Sequence, residues 1–511
     1  MSRKYLLGVD IGTYESKGVL VTPDGRVAAA RMTPHSLSIP AQGWAEHDPE
    51  EVWWKDFVSI VRGLMADSGA RPEEIIAVGA SAIGPDLLPV DEECKPLRAG
   101  AILYGIDTRA TAEIEELEGR LGKEAIFRMC GNAMSSQAVG PKLLWLKRED
   151  PEVYRRAFMF VTASTFLVAR LTGRFVIDHL TAACWAPLYD FWGGTWGGFM
   201  EGIVEKDRLP ELAWPAEIAG KLTRDAALQT GLAEGTPVIV GTADAAAEAV
   251  SVGVVVPGQM MLMYGSTVFM YAVQDRPRPD QRLWSSPYVF RDTYSLAGGM
   301  ATSGALTRWF RDQLAPDLVA SERATGIPAY QGLIQEAEGI PAGSEGLLVL
   351  PYFSGERTPI NDPRARGVFF GLTLAHSRGH LFRAVLEGIG YAIKHHLSAL
   401  HDMDATPREI IAVGGGTKNP LWLQIVSDIC QAPQKVPSVT LGAAYGDAFL
   451  AGLGAGVFTS AADIGRWVRN FDVIEPNPAH AERYEEYYKT YLDLYSSTKD
   501  LMHRINPDRS R

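Results

Sequence analysis

The sequence predicts an α/β protein of two large domains. Strand-length apolar runs alternate with stretches of helical periodicity along the chain. At 511 residues the chain exceeds what one core serves, since domains run to roughly 100–200 residues. Two distant segments are also built alike: residues 6–13 followed by 19–21, and residues 261–267 followed by 268–270. In each, an apolar run reaches a Gly-hydroxyl tip and a second run returns, which reads as a β-hairpin. The division falls near residue 250, giving domains 1–250 and 251–511.

In chain order, Thr22-Pro23-Asp24-Gly25 closes the first hairpin, with Pro presetting φ and Gly taking the positive φ of a tight return. Residues 27–31 continue the meander. Asp48-Pro49-Glu50-Glu51 opens a helix whose stripe Trp53, Trp54, Phe57, Ile60, Val61 and Leu64 recurs every three or four residues and reads as core. Residues 75–80 and 101–104 read as strands, and 141–147 as a helix stopped by Asp150-Pro151. Residues 238–241 form a buried strand ending at Thr242-Ala243-Asp244, and 245–250 start a helix. Residues 347–351 and 410–413, with the stripe Leu421, Ile425 and Ile429, repeat the grammar. The tail carries Tyr484, Tyr487, Tyr488, Tyr491 and Tyr495 at helical spacing, as a packing helix would.

Composition narrows the class. With 46% hydrophobic and 22% charged residues the chain is an ordinary globular protein. A net charge of −12, with no Lys/Arg stripe, argues against nucleic-acid binding. Cys94, Cys130, Cys184 and Cys430 form no CxxC or Cys-His spacing and read as thiols in a reducing compartment. No charged-then-apolar region precedes Tyr5, so the expected location is the cytoplasm. Residues 249–273 are apolar, but Pro257-Gly258-Gln259 splits them into strand-length pieces, which argues against a membrane span.

The two hairpin tips carry chemistry. Glycine lets backbone N–H groups approach an anion, and Thr13, Ser266 and Thr267 add hydroxyls, so each tip can cradle a phosphate and the pair suggests one nucleotide bound between the halves. Asp10, at the end of the first strand, suits either a turn cap or a carboxylate reaching Mg²⁺ on nucleotide phosphates. Asp244, ending another strand, suits either a helix N-cap or a general base. Gly414-Gly415-Gly416-Thr417-Lys418-Asn419 lies between a strand and a helix and permits close approach of a ligand to backbone. GxGxxG at the first strand, GxxxxGK[ST] and HExxH are all absent.

Together these residues resemble the FGGY family of carbohydrate kinases. Residues 8–13 are similar to the family's first phosphate motif, Gly265-Ser266-Thr267 to its second, and Gly414, Gly415 and Gly416 with Asn419, Trp422 and Gln424 to its adenosine motif. Residues 141–147 resemble one family signature, and 367–372 with His380-Leu381 and 384–387 the other. The resemblance implies two actin-like (ribonuclease H-like) domains with an interdomain catalytic cleft, ATP and Mg²⁺ as cofactors, Asp244 as catalytic base, and Asp10 as the carboxylate that organises the metal. Gly12, Thr13 and Lys17 join the second-loop and adenosine residues in the expected ATP site. Residues 351–359 with Asn361-Asp362-Pro363 are closest to the form seen in xylulokinases and some gluconate kinases.

Two departures fall on the substrate side. Xylulokinases commonly carry Gln-Met-His-Gly where this chain has Ile83-Gly84-Pro85-Asp86, and Asn where it has Ala245. The implied reaction is transfer of the ATP γ-phosphoryl to a terminal hydroxyl of a ketopentose, D-xylulose first, with Gly84, Pro85, Asp86, Asp107, Arg109 and Asp244 as the expected sugar contacts. Ribulose, a polyol such as erythritol, gluconate, a non-catalytic nucleotide or sugar sensor, and a phosphoanhydride hydrolase are the alternatives. A homodimer is a family expectation; nucleic-acid and membrane partners are not expected.

Overall fold

The structure is a computed structural model that describes residues 4–505. The chain gathers into two compact units that do not follow chain order. Among the described residues, the first comprises 4–257, 273–296 and 441–469; the second comprises 258–272, 297–440 and 470–505.

In the first unit, β1 (Tyr5–Ile11), β2 (Glu15–Val21) and β3 (Val27–Pro34) form the antiparallel meander. On the other side of β1, β4 (Ile75–Ala82) runs parallel to it. The sheet order is β5-β6-β4-β1-β2-β3, where β6 (Pro237–Ile239) and the short β7 (Thr242–Ala243) run parallel to β4 and β5 (Ile218–Lys221) runs antiparallel to β6. β1 is buried throughout, yet its faces differ. Leu7, Val9 and Ile11 join a core cluster with Trp53, Phe57, Ile60 and Phe166. By the two-residue period of a strand, Gly8 and Asp10 point the other way. There the helix Ala443–Gly454 packs on β1 and β4. It comes so close that a Cβ on Gly8 would lie 1.9 Å from Ala444 O and one on Gly79 2.3 Å from Asp447 O. Only glycine fits such an approach.

The Trp-rich stripe is helical but begins as a wide π-helical turn, Pro49–Trp54, capped by Asp48, before α1 (Lys55–Ser68). Asp150-Pro151 ends the helix Val139–Glu149 as expected and also starts another, Pro151–Arg156, with Asp150 as its cap. The strand expected at 101–104 is shorter, Ala101–Ile102. β7 leads directly into α2, Asp244–Ser251.

The second unit repeats the plan. A hairpin of β8 (Gln259–Tyr264) and β9 (Val268–Gln274) has a parallel strand, β10 (Glu409–Val413), on its other side, followed by β11 (Gln434–Pro437) and β12 (Phe471–Ile474). The start of α3 (Gly304–Leu314) meets the hairpin tip, α4 (Pro420–Cys430) packs beside β12, and the tyrosine-rich tail is the helix Ala481–Ile505, with Tyr484, Tyr488 and Tyr491 buried. No helix among the described residues is long and apolar enough to cross a membrane; residues 249–273 supply the end of α2 and the hairpin strands instead.

Candidate active site

Strand register assembles the acidic residues of the first unit. Asp10 of β1 lies opposite Ser81 of β4, and Ser81 lies opposite Thr242 of β7, so three parallel strands bring their carboxyl ends level. That is where open α/β sheets bind ligands. Ser81 Oγ is 3.0 Å from Asp10 Oδ1 and 2.7 Å from Asp447 Oδ2, and Ser81 N donates to the same Asp447 oxygen at 3.1 Å. A hydroxyl has one hydrogen to give, so serving both carboxyls requires one of them to carry a proton. Burial and then the Asp244 charge push Asp10 well above the usual carboxylate range; burial and then the Asp10 charge do the same to Asp447. Asp10 is therefore a strand residue in a carboxyl pair and not a turn cap.

Asp244 is the first residue of α2, and the cap position belongs to Ala243, which has no side chain to cap with. The Asp244 carboxylate accepts from Ala245 N at 2.6 Å. Burial raises it to about 6, so it is ionised at neutral pH yet far more basic than a free aspartate. One helical turn on, burial lifts Glu248 to about 7 against the opposing charge of Lys17. Lys17, on β2, pairs with Glu15 at 2.5 Å, and the charges of Asp10 and Glu248 help hold its proton.

The residues expected to meet sugar divide into two groups. A Cβ on Gly84 would lie 3.8 Å from Thr181 Cγ2 and 4.0 Å from Ala243 Cβ, which puts the Gly84-Pro85 segment beside the residue preceding Asp244. Asp86 is fully buried at the start of the helix Ala163–Thr172, accepting from Ala163 N, and burial raises it to about 8. Asp107 and Arg109 are spent on each other. The Arg109 guanidinium is completely buried, 2.7 Å from Asp107 Oδ2 and 2.8 Å from Glu46 Oε1, with its Cζ 4.0 Å from the Trp44 ring centroid. Asp107 Oδ2 also accepts from Ala45 N at 2.7 Å.

In the first unit's hairpin tip, Gly12 N donates to Glu15 O at 3.0 Å; in the second unit's, Gly265 N donates to Thr267 O at 2.9 Å. Gly414 packs on the end of β8, where a Cβ would lie 2.7 Å from Tyr264 O, while a Cβ on Gly415 would meet open space. The glycine triplet and the second hairpin tip thus share one end of the second unit. Asn419 Oδ1 caps α4 by accepting from Trp422 N at 3.1 Å.

Sequence reasoning missed Ser81, Glu248 and Asp447. Asp447 did leave a signal, a lone carboxylate in a helix of Ala, Gly, Leu and aromatic residues. Ser81, a small residue in a small-residue strand, left none.

Paired hairpins, each with a parallel strand beside it and a Gly-hydroxyl tip, define an actin-like α/β fold. The N-terminal domain model of the FGGY family of carbohydrate kinases matches residues 5–251 and the C-terminal domain model matches 260–455. Among curated relatives, the chain is 31% identical to the xylulose kinase of Escherichia coli (strain K12), covering 97% of this chain and 99% of that one. It is 28% identical to the gluconokinase of Bacillus subtilis (strain 168), covering 85% and 84%. The crystal structure of xylulose kinase from Rhodospirillum rubrum superposes with a TM-score of 0.91 at 31% identity, over 98% of this chain and all of that one. The chain belongs to the FGGY family and is a carbohydrate kinase, a phosphotransferase with an alcohol group as acceptor.

Proposed function

We propose that this kinase moves the γ-phosphoryl of ATP to a terminal hydroxyl of a ketopentose, D-xylulose first. The observation that carries the reading is the strand register that brings Asp10 and the start of α2, with an Asp244 raised to about 6, to the same end of the sheet. Asp244 accepts the hydroxyl proton as the sugar oxygen attacks phosphorus in line. Gly12, Thr13, Gly265, Ser266 and Thr267 bind phosphate oxygens, with Lys17 adding positive charge on the first unit's side. Gly414, Gly415, Gly416 and Asn419 border adenosine. Sugar meets the Gly84-Pro85 backbone beside Ala243, while Asp86, Asp107 and Arg109 act through the buried contacts that hold the surrounding segments.

Magnesium fits the donor set as a nucleotide-borne ion. No group of three or more ligating side chains gathers among the described residues. An ion that keeps waters and phosphate oxygens needs only one or two carboxylates, and Asp10 is the one offered, with Asp447 and Ser81 behind it. Bound, Mg²⁺ neutralises charge on the phosphates. We place the enzyme in the cytoplasm and propose a homodimer on family grounds.

Gluconate, ribulose or a polyol is the second reading for substrate. It is favoured by the gluconokinase relative and by Ile83-Gly84-Pro85-Asp86 and Ala245, where the xylulokinase pattern is broken. Coupled ADP production with ATP and Mg²⁺ over D- and L-ketopentoses, polyols, hexoses and aldonates, with a no-sugar blank, decides. Preference for D-xylulose supports the reading, and preference for another member moves the specificity. ATP hydrolysis independent of any sugar would favour a hydrolase, and tight ATP binding without turnover a sensor.

A further inference from the structure

Both hairpin tips have their carbonyls tied back, but by different donors. In the second unit the backbone amides at the start of α3 do it. Gly304 N donates to Gly265 O at 3.0 Å, and Ser303 N and Ala305 N donate to Ser266 O, each at 3.0 Å. Among the described residues, no helix start serves the first tip. Instead, His35 Nε2 lies 3.0 Å from Gly12 O and His47 Nε2 lies 3.0 Å from Thr13 O.

The rest of the network fixes which way His47 donates and gives both nitrogens of His35 an acceptor. His47 Nδ1 accepts from Trp53 Nε1 at 3.2 Å, an indole that can only donate, so the His47 proton sits on Nε2, facing the loop. Burial and the neighbouring His35 push His47 down to about 4, which keeps this neutral tautomer at working pH. His35 Nδ1 faces Asp56 Oδ2 at 2.9 Å, and the same oxygen accepts from Ser16 Oγ at 2.8 Å; both His35 nitrogens thus face acceptors, and the ring donates to Gly12 O as well as to Asp56 when it carries both protons, as the cation of an ion pair with Asp56. The two rings meet edge to face with centroids 5.1 Å apart, and the side chains of His35 and Asp56 are 6% and 9% exposed. Both rings are held in place, His47 as a donor to the loop and His35 between the Gly12 carbonyl and the Asp56 carboxylate.

We propose that His35 and His47 are positioning residues of the first phosphate loop, holding the Gly12 and Thr13 carbonyls so that the amides of Thr13 and Tyr14 are presented to phosphate. The link is peptide planarity: in a trans peptide the N–H points opposite to the C=O, so drawing in the Gly12 carbonyl turns the Thr13 N–H away from the histidines, and drawing in the Thr13 carbonyl does the same for Tyr14. Neither amide donates to a backbone carbonyl among the described residues, which leaves both for an anion. Tyr104 Oη, 3.2 Å from Thr13 Oγ1, steadies the same residue from its side chain. The first loop thus obtains from two imidazoles what the second obtains from a helix start. The proposal rests on the reading of residues 12–14 as a phosphate loop.

Paired substitutions test it, because Asn mimics the Nδ1 side of a histidine and Gln the Nε2 side. H47N keeps the acceptor for Trp53 and removes the donor to Thr13, whereas H47Q keeps that donor; H35N keeps the Asp56 contact and removes the donor to Gly12, whereas H35Q keeps that donor. ADP binding by titration calorimetry should weaken about tenfold in H35N and H47N, the worth of one hydrogen bond to a constrained loop, and stay within about threefold of wild type in H35Q and H47Q. The KM for ATP should rise in parallel while that for sugar holds. Folded H35N and H47N proteins with unchanged ADP affinity would overturn the proposal, as would Gln variants that lose as much as their Asn partners, since ring packing and not the donor would then matter. Wild-type protein that bound no ADP would instead remove the phosphate-loop reading itself.

Discussion

Asp244→Asn is expected to trade activity for stability. Burial raises the Asp244 carboxyl from 3.8 to about 6. A folded-state pKa raised above the unfolded value means that the ionised group is disfavoured in the fold. Above pH 6 the fold bears the full cost, and as pH falls through 6 toward 4 the folded protein takes up a proton the unfolded chain does not, so the cost disappears. At about 1.4 kcal/mol per pH unit the cost at neutral pH is roughly 3 kcal/mol, trimmed to about 1–3 kcal/mol because Asp244 is only partly shielded from water. Asparagine removes the charge and keeps an oxygen for the Ala245 amide, now at 2.6 Å. The variant should therefore melt a few degrees higher than wild type at pH 7.5, with the gain shrinking toward pH 4.5. Its sugar-dependent ADP production should fall by roughly 10² to 10⁴, the usual worth of a general base. Scanning calorimetry at the two pH values and a coupled ADP assay read both effects. A variant that melts lower at pH 7.5 would refute the burial argument, and near-normal turnover would remove Asp244 as the base.

Asp10→Asn should cut turnover and raise the Mg²⁺ concentration needed for half-maximal rate, read by titrating the metal at fixed ATP. His47, held down at about 4 against 6.5 unfolded, withholds a proton that the unfolded chain accepts, so wild-type stability should drop between pH 6.5 and 4 by up to about 3 kcal/mol; H47Q should lose that component of the pH dependence in thermal melts. Arg109→Ala strips the cation from buried Asp107 and Glu46 and should cost about 3–5 kcal/mol in denaturant unfolding. Gly8→Val must push the helix Ala443–Gly454 off β1 and should cost about 3 kcal/mol or more, read the same way.

What the sequence made legible was periodic or punctuated. The two hairpins stand out because Gly-hydroxyl tips interrupt apolar runs, and the Trp53-to-Leu64 stripe because a buried helix face must recur at its own pitch. Asp10 and Asp244 were visible as acids at strand ends. The rest of the site depends on strand register and on the packing of distant segments, which one-dimensional spacing does not encode. Ser81 matters because β4 pairs in register with both β1 and β7. Asp447 matters because a helix 366 residues further on is laid against Ser81. Asp107 and Arg109 looked like loop residues open to a ligand, and their spacing of two hid that Glu46 and Trp44 close over them.

The helix Ala443–Gly454 has a consequence for how the protein is made. It completes the first unit, yet it lies nearly 200 residues downstream of the rest of that unit's sheet. During synthesis the glycine-lined face of β1 and β4 must stay uncovered while most of the second unit emerges, the condition under which partly folded chains expose apolar surface and aggregate. A chain that stops anywhere before this helix is not half an enzyme; it is an open sheet missing its lid, with a buried serine left facing water.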